Sequence, residues 1–136
     1  MKKIFITGGA GFIGGNFILN LMKSDQVKVI NYDKLTYAGN LDTLSSIENN
    51  PNYTFIQGDI CDGDKLEKLF AEYKFDRVIH FAAESHVDRS IESPGDFIQT
   101  NVVGTYELLE ATRNYLGKGS GLQDFRFLHV SMMYTI

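Results

Sequence analysis

Five short apolar runs, separated by longer stretches of helical periodicity, constrain this chain more than any other feature. The runs occupy residues 3–7 (KIFIT), Val27–Asp33 (VKVINYD), Tyr53–Gln57 (YTFIQ), 77–83 (RVIHFAA) and 126–131 (RFLHVS). They are brief, rich in β-branched and aromatic residues and nearly continuous in hydrophobicity, the pattern of strands covered on both faces. Between them, Phe12, Ile13, Phe17, Ile18, Leu21 and Met22 recur at spacings of three and four, as do Leu66, Leu69, Phe70 and Tyr73. A capping carboxylate at Asp62 or Asp64 starts the second of these helices. A third and longest helix is expected over residues 94–116, ended by GKGSG at 117–121, and a weaker one over 42–48. Strands alternating with helices at this pace build right-handed βαβ units and a mainly parallel sheet. With a glycine-rich turn after the first strand, the expected architecture is α/β, a doubly wound five-stranded parallel sheet in the order 3-2-1-4-5.

Composition narrows the function. A chain of 136 residues is one domain's worth, with 43% apolar and 22% charged residues and a net charge of −4. The absence of a basic cluster argues against nucleic acid or an anionic membrane as partner. The single cysteine, Cys61, rules out an internal disulfide and gives no metal-ligand spacing, which fits a cytoplasmic location. The glycines at positions 8 and 9 cut the first apolar run too short for a signal peptide, and no run approaches the roughly 20 residues of a membrane span.

The stretch ITGGAGFIGGN puts Gly8, Gly11 and Gly14 between the first strand and the first helix. That order meets three needs of dinucleotide binding: a tight turn, a main chain able to approach a pyrophosphate, and a helix packed closely on its strand. Asp33 follows 19 residues after Gly14, at the end of the second strand, where a carboxylate accepts from a ribose 2′-OH and repels a 2′-phosphate. NAD is therefore expected over NADP, with Lys34 as a neighbouring cation that softens the discrimination. Asp59, in GDI after the third strand, is placed equally well to accept from an adenine amino group, with Ile60 covering a ring face, or to cap the next helix. The small residues of FAAES (81–85) would let a flat ligand lie at the carboxyl edge of the sheet. His80 and His129 read as structural, and Glu84 has no partner that would make it an acid or base. His86, Asp88 and Arg89 fit a substrate loop and a local ion pair equally well.

The TGGAGFIG turn, FAAES and TNVVGT (100–105) resemble the extended short-chain dehydrogenase/reductases, which are Rossmann-like. Within them YDKLTYAGNLDTL (32–44), AAESHVDRSI (82–91) and FIQTNVVGTYELLEATRNY (97–115) resemble the dTDP-glucose 4,6-dehydratase family. The resemblance covers residues 1–131 and implies an NAD-dependent lyase of nucleotide-sugar metabolism. In such a lyase NAD takes a hydride from C4 of the sugar, water leaves across C5 and C6, and the hydride returns to C6. It also implies that Gly8, Gly11, Phe12, Ile13 and Gly14 hold the pyrophosphate, that Asp33, Lys34, Leu35 and Thr36 surround the adenosine ribose, and that Asp59 and Ile60 meet the adenine. Phe81, Ala82, Ala83 and Ser85 line the nicotinamide side, Thr100 approaches the cofactor, and Ser85 also reaches the substrate. The family's dimer contact falls on the 94–116 helix.

The same resemblance shows what is expected to be missing. Short-chain dehydrogenases take the hydroxyl proton with a tyrosine four residues before a lysine, and no such pair stands at a sheet edge in these 136 residues. After Ser131 the family continues in a pattern like Thr-Asp-Glu, whereas Met132, Met133 and Tyr134 follow here. Residues 1–131 thus read as the N-terminal part of an NAD-binding domain, incomplete relative to the family. Residues 132–136 read as an aberrant tail, with the catalytic helix and C-terminal substrate domain absent, as after a frameshift, premature stop or truncation. No catalytic residue is assigned, and the chain alone is expected to be inactive. Alternatives are a non-catalytic NAD-binding module, a gene remnant, or a fragment of a sugar-nucleotide epimerase. A sheet face left uncovered after the last strand is expected to promote self-association.

Overall fold

In the computed structural model, which describes residues 1–35, 41–81, 95, 99–118 and 124–130, all five strands form one parallel sheet. They are β1 (Lys2–Thr7), β2 (Val27–Asp33), β3 (Tyr53–Gln57), β4 (Arg77–His80) and β5 (Arg126–His129), in the order β3-β2-β1-β4-β5. This is the expected 3-2-1-4-5 order. The helices are α1 (Phe12–Leu21), α2 (Gly63–Tyr73) and α3 (Thr105–Gly117). A 3₁₀ helix covers Leu41–Ile47, where the sequence predicts a weaker helix over 42–48, and a π-helical segment, Gln99–Gly104, runs into α3.

The alternation of side chains along β1 creates two cores. Phe5 points to one face, among Ile30, Tyr32, Leu66, Phe70, Phe75, Val78 and Leu108 beneath α2 and α3. Ile4 and Ile6 point to the other, among Ile18, Val29, Leu44 and Tyr53 beneath α1 and the 3₁₀ helix. Phe5 is the centre of an aromatic cluster, with ring centroids 4.7 Å from Phe75, 5.4 Å from Phe70 and 5.5 Å from Tyr32. Asp62 caps α2 by accepting from the Lys65 N–H at 3.2 Å, and Lys74 ends that helix in the left-handed conformation.

β5 departs from the expected buried strand. Arg126, Leu128 and His129 are exposed, Leu128 by 53%, while Phe127 alone packs towards the core beneath α3. Among the described strands β5 pairs with β4 alone, and Leu128 is not one of the side chains packed into the cluster beneath α1. Among the described residues no helix is long and apolar enough to cross a membrane, and no group of three His, Cys, Asp or Glu side chains converges as a metal site.

Candidate functional site

The register brings Thr7 of β1 beside Tyr32 of β2 and His80 of β4, and Asp33 beside Gln57 of β3. The carboxyl ends of four strands therefore lie side by side, the edge at which open parallel sheets bind ligands. The glycine turn leaves β1 there. Gly8 adopts φ 76°, a conformation that penalises any side chain, and its N–H donates to the Tyr32 carbonyl at 3.1 Å. Its carbonyl accepts from the Gly11 N–H at 3.2 Å, closing the turn. Gly14, in the first turn of α1, faces that same carbonyl so closely that a β-carbon could not be accommodated.

α1 starts at Phe12 with Gly11 as N-cap, and no side chain caps it. Its first N–H groups have no carbonyl within the helix to accept from them, so a positive helix end opens onto the turn. Phe12 and Ile13, which the periodicity assigned to the apolar stripe, are 84% and 50% exposed at this end, while Ile18 and Met22 carry the buried face. An uncapped helix end beside a turn that cannot hold a β-carbon fits the diphosphate of a dinucleotide.

Asp33 stands across the turn. One of its oxygens accepts from the Ala10 N–H at 2.8 Å and the other from the Leu35 N–H at 2.7 Å. The carboxylate is thus tied both to the glycine turn and to its own strand end. Leu35 has φ 59°, an uncommon conformation for a non-glycine residue that costs on the order of 1–2 kcal/mol and is held here by the bond to Asp33. Sequence reasoning missed Ala10, because a main-chain N–H leaves no trace in residue type.

Asp59 occupies the end of β3. Its Oδ1 accepts from the Cys61 N–H at 2.9 Å and its Oδ2 lies 3.3 Å from Lys34 Nζ. Partial burial opposes its ionisation, but the Cys61 N–H and the Lys34 ammonium together hold its carboxyl below the usual range. The helix cap is Asp62, so the capping alternative for Asp59 does not hold. The Ile60 side chain is 5% exposed and packs against Gly104. The Ile60 side chain fills the space that the missing Gly104 side chain leaves, and that non-local fit has no signature in the GDI triplet.

His80 is structural. Its Nδ1 pairs with Thr7 Oγ1 at 2.6 Å and its Nε2 with Thr105 Oγ1 at 3.0 Å, joining β4 to β1 and to the start of α3. Burial, with His129 stacked at 4.9 Å, pushes its pKa down to about 4, so the ring is neutral near pH 7. Phe81 follows β4, with its N–H on the Thr7 carbonyl at 2.9 Å and its ring 5.5 Å from Phe17. Thr100 lies on the π-helical segment. Thr36, Ala82, Ala83, Glu84, Ser85, His86, Asp88, Arg89 and residues 131–136 lie outside the described residues, as does the Thr100 side chain.

A family model described as GDP-mannose 4,6 dehydratase matches residues 5–133. The chain is 53% identical over 133 residues to a dTDP-glucose 4,6-dehydratase of Neisseria meningitidis serogroup B, covering 96% of this chain and 38% of that protein. A crystal structure of dTDP-glucose 4,6-dehydratase from Bacillus anthracis in complex with NAD superposes with a TM-score of 0.80 at 37% identity, covering 97% of this chain and 38% of the other. A UDP-glucose 4-epimerase from Thermotoga maritima shares the fold at a TM-score of 0.73 and 33% identity, over 83% of this chain and 34% of the epimerase. The chain therefore spans about 38% of the length of the curated relatives it matches, and it corresponds to their N-terminal portion.

Proposed function

The chain belongs to the GDP-mannose 4,6 dehydratase family, and on that premise we propose that residues 1–131 bind NAD as the cofactor-binding part of a dTDP-glucose 4,6-dehydratase. The observation that carries this reading is Asp33, anchored by the Ala10 N–H across a glycine turn from the uncapped end of α1. The main chain at Gly8, Gly11, Phe12, Ile13 and Gly14 would receive the pyrophosphate. Asp33, Lys34, Leu35 and Thr36 would hold the adenosine ribose, and Asp59 with Ile60 would meet the adenine. Phe81, Ala82, Ala83, Ser85 and Thr100 would line the nicotinamide end, and Ser85 would meet the nucleotide sugar. Bound NAD would supply a hydride acceptor that returns its hydride within one turnover.

This chain's described residues bind and orient; none is placed to move a proton at the sugar. His80 is neutral and saturated by two threonine hydroxyls, and no tyrosine stands four residues before a lysine in the sequence. A polypeptide of these 136 residues accordingly binds NAD without converting dTDP-glucose. A cytoplasmic location and a homodimer through α3 belong to the same reading; Val102, Tyr106 and Leu109 form an exposed apolar stripe along that helix and the turn before it.

Calorimetric titration of NAD tests the proposal. Saturable binding is expected for the wild type and its loss in Asp33→Ala, with both proteins giving the same far-ultraviolet circular dichroism. Mass analysis after incubation with dTDP-glucose and NAD should show no 4-keto product. Equal NAD affinity in Asp33→Ala, or product from the wild-type polypeptide, would overturn it.

A further inference from the structure

Two carboxylates and a lysine lie at the ends of β2 and β3, with Lys65 of α2 beside them, and their pairing is selective. Among the described residues Asp33 accepts from main-chain N–H groups alone, those of Ala10 and Leu35. Lys34, the next residue, turns its ammonium to Asp59 at 3.3 Å. Asp59 is a fixed partner: the Cys61 N–H orients its carboxylate, and the Tyr32 hydroxyl donates to its main-chain carbonyl at 2.9 Å. Lys34 is held from its own main chain as well, since its carbonyl accepts from Gln57 Nε2 at 3.4 Å. The second cation, Lys65, is engaged elsewhere, donating to the Gln57 carbonyl at 2.7 Å with its ammonium 5.7 Å from the centroid of the Tyr32 ring.

A ligand carrying a 2′-phosphate would bring nearly two negative charges to Asp33 and would need a cation there. Lys34, the residue next to Asp33, is a cation at hand, and it is already paired with Asp59. We propose that Asp59 is a specificity-determining residue of the dinucleotide site: by holding Lys34 it withholds that ammonium from a 2′-phosphate and reinforces the choice of NAD over NADP. This rests on the NAD-binding reading above. The effect is modest, because both partners are partly exposed and exposed pairs are weak; release of Lys34 is expected to change the preference by about two- to fivefold.

The test is the ratio of the NADP and NAD dissociation constants, measured by calorimetry or competitive displacement. It uses the wild type, Asp59→Asn, Lys34→Met and the double variant. Any effect of Asp59 on adenine binding cancels in the ratio, since both cofactors carry the same adenine. Asp59→Asn should move it about two- to fivefold towards NADP when Lys34 is present and by less than about twofold when Lys34 is Met. Lys65→Met should leave it unchanged. An equal shift with and without Lys34 would mean that Asp59 acts by its own charge on the phosphate, and the inference falls. An unchanged ratio in Asp59→Asn overturns it too. If the folded wild type binds neither cofactor, the NAD-binding reading fails first and takes this inference with it.

Discussion

Gly14→Ala and Gly11→Ala form a matched pair that isolates the close approach of α1 to β1. At Gly14 an added methyl would overlap the Gly8 carbonyl oxygen, with Gly9 Cα at 3.0 Å and the Gly8 carbonyl carbon at 3.1 Å. All three are main-chain atoms and cannot rotate aside. Overpacking of this kind costs typically 1–3 kcal/mol, and a rigid neighbour puts it at about 3. Alanine gains about 1 kcal/mol over glycine within a helix, which leaves a net loss of about 2 kcal/mol. At Gly11 the nearest atom is the same oxygen at 3.4 Å, an ordinary contact, and φ −79° suits alanine. There the entropy gained against the unfolded chain and the small loss of glycine as N-cap offset each other to within about 0.5 kcal/mol. Urea unfolding followed by circular dichroism should place the Gly14→Ala midpoint about 1 M below wild type, for a slope of about 2 kcal/mol/M, with Gly11→Ala near wild type. NAD affinity should fall with Gly14→Ala even at concentrations of urea where the variant remains folded. Coincident midpoints for the two variants would refute the close-approach reasoning.

His80 predicts acid sensitivity. Its native pKa lies below its ordinary 6.5, at about 4, so between these values the unfolded chain takes up a proton that the native chain refuses. Stability therefore falls as pH drops through that window, by on the order of 3 kcal/mol from this residue. A series of urea titrations from pH 7 to pH 4 should show a shallower decline in His80→Gln than in wild type; parallel curves would contradict the assignment. The exposed stripe on α3 predicts concentration-dependent self-association, and Tyr106→Glu should shift sedimentation velocity profiles towards monomer without lowering the unfolding midpoint. Persistence of the dimer in that variant would move the interface elsewhere.

The architecture is legible from residue order alone. Strand–helix alternation, the right-handed crossover rule and the early glycine turn lead to one strand order, and β2 and β3 take the expected boundaries because their apolar runs end in polar residues at the sheet edge. The positions of Gly8 and Gly14 in the tight turn and of Asp33 at the end of β2 could be read for the same reason: main-chain geometry sets them at fixed distances along the chain. Contacts between residues far apart in sequence had to await the folded chain. The GDI triplet carries no sign that Ile60 turns inward beneath Gly104, that Asp59 engages Lys34, or that Ala10 anchors Asp33. Nor did the apolar character of residues 126–131 reveal that β5 lies at the sheet's edge with Leu128 exposed. Periodicity reports that a side chain is apolar and which way it alternates; whether anything stands opposite it is fixed only when the sheet has closed around its neighbours.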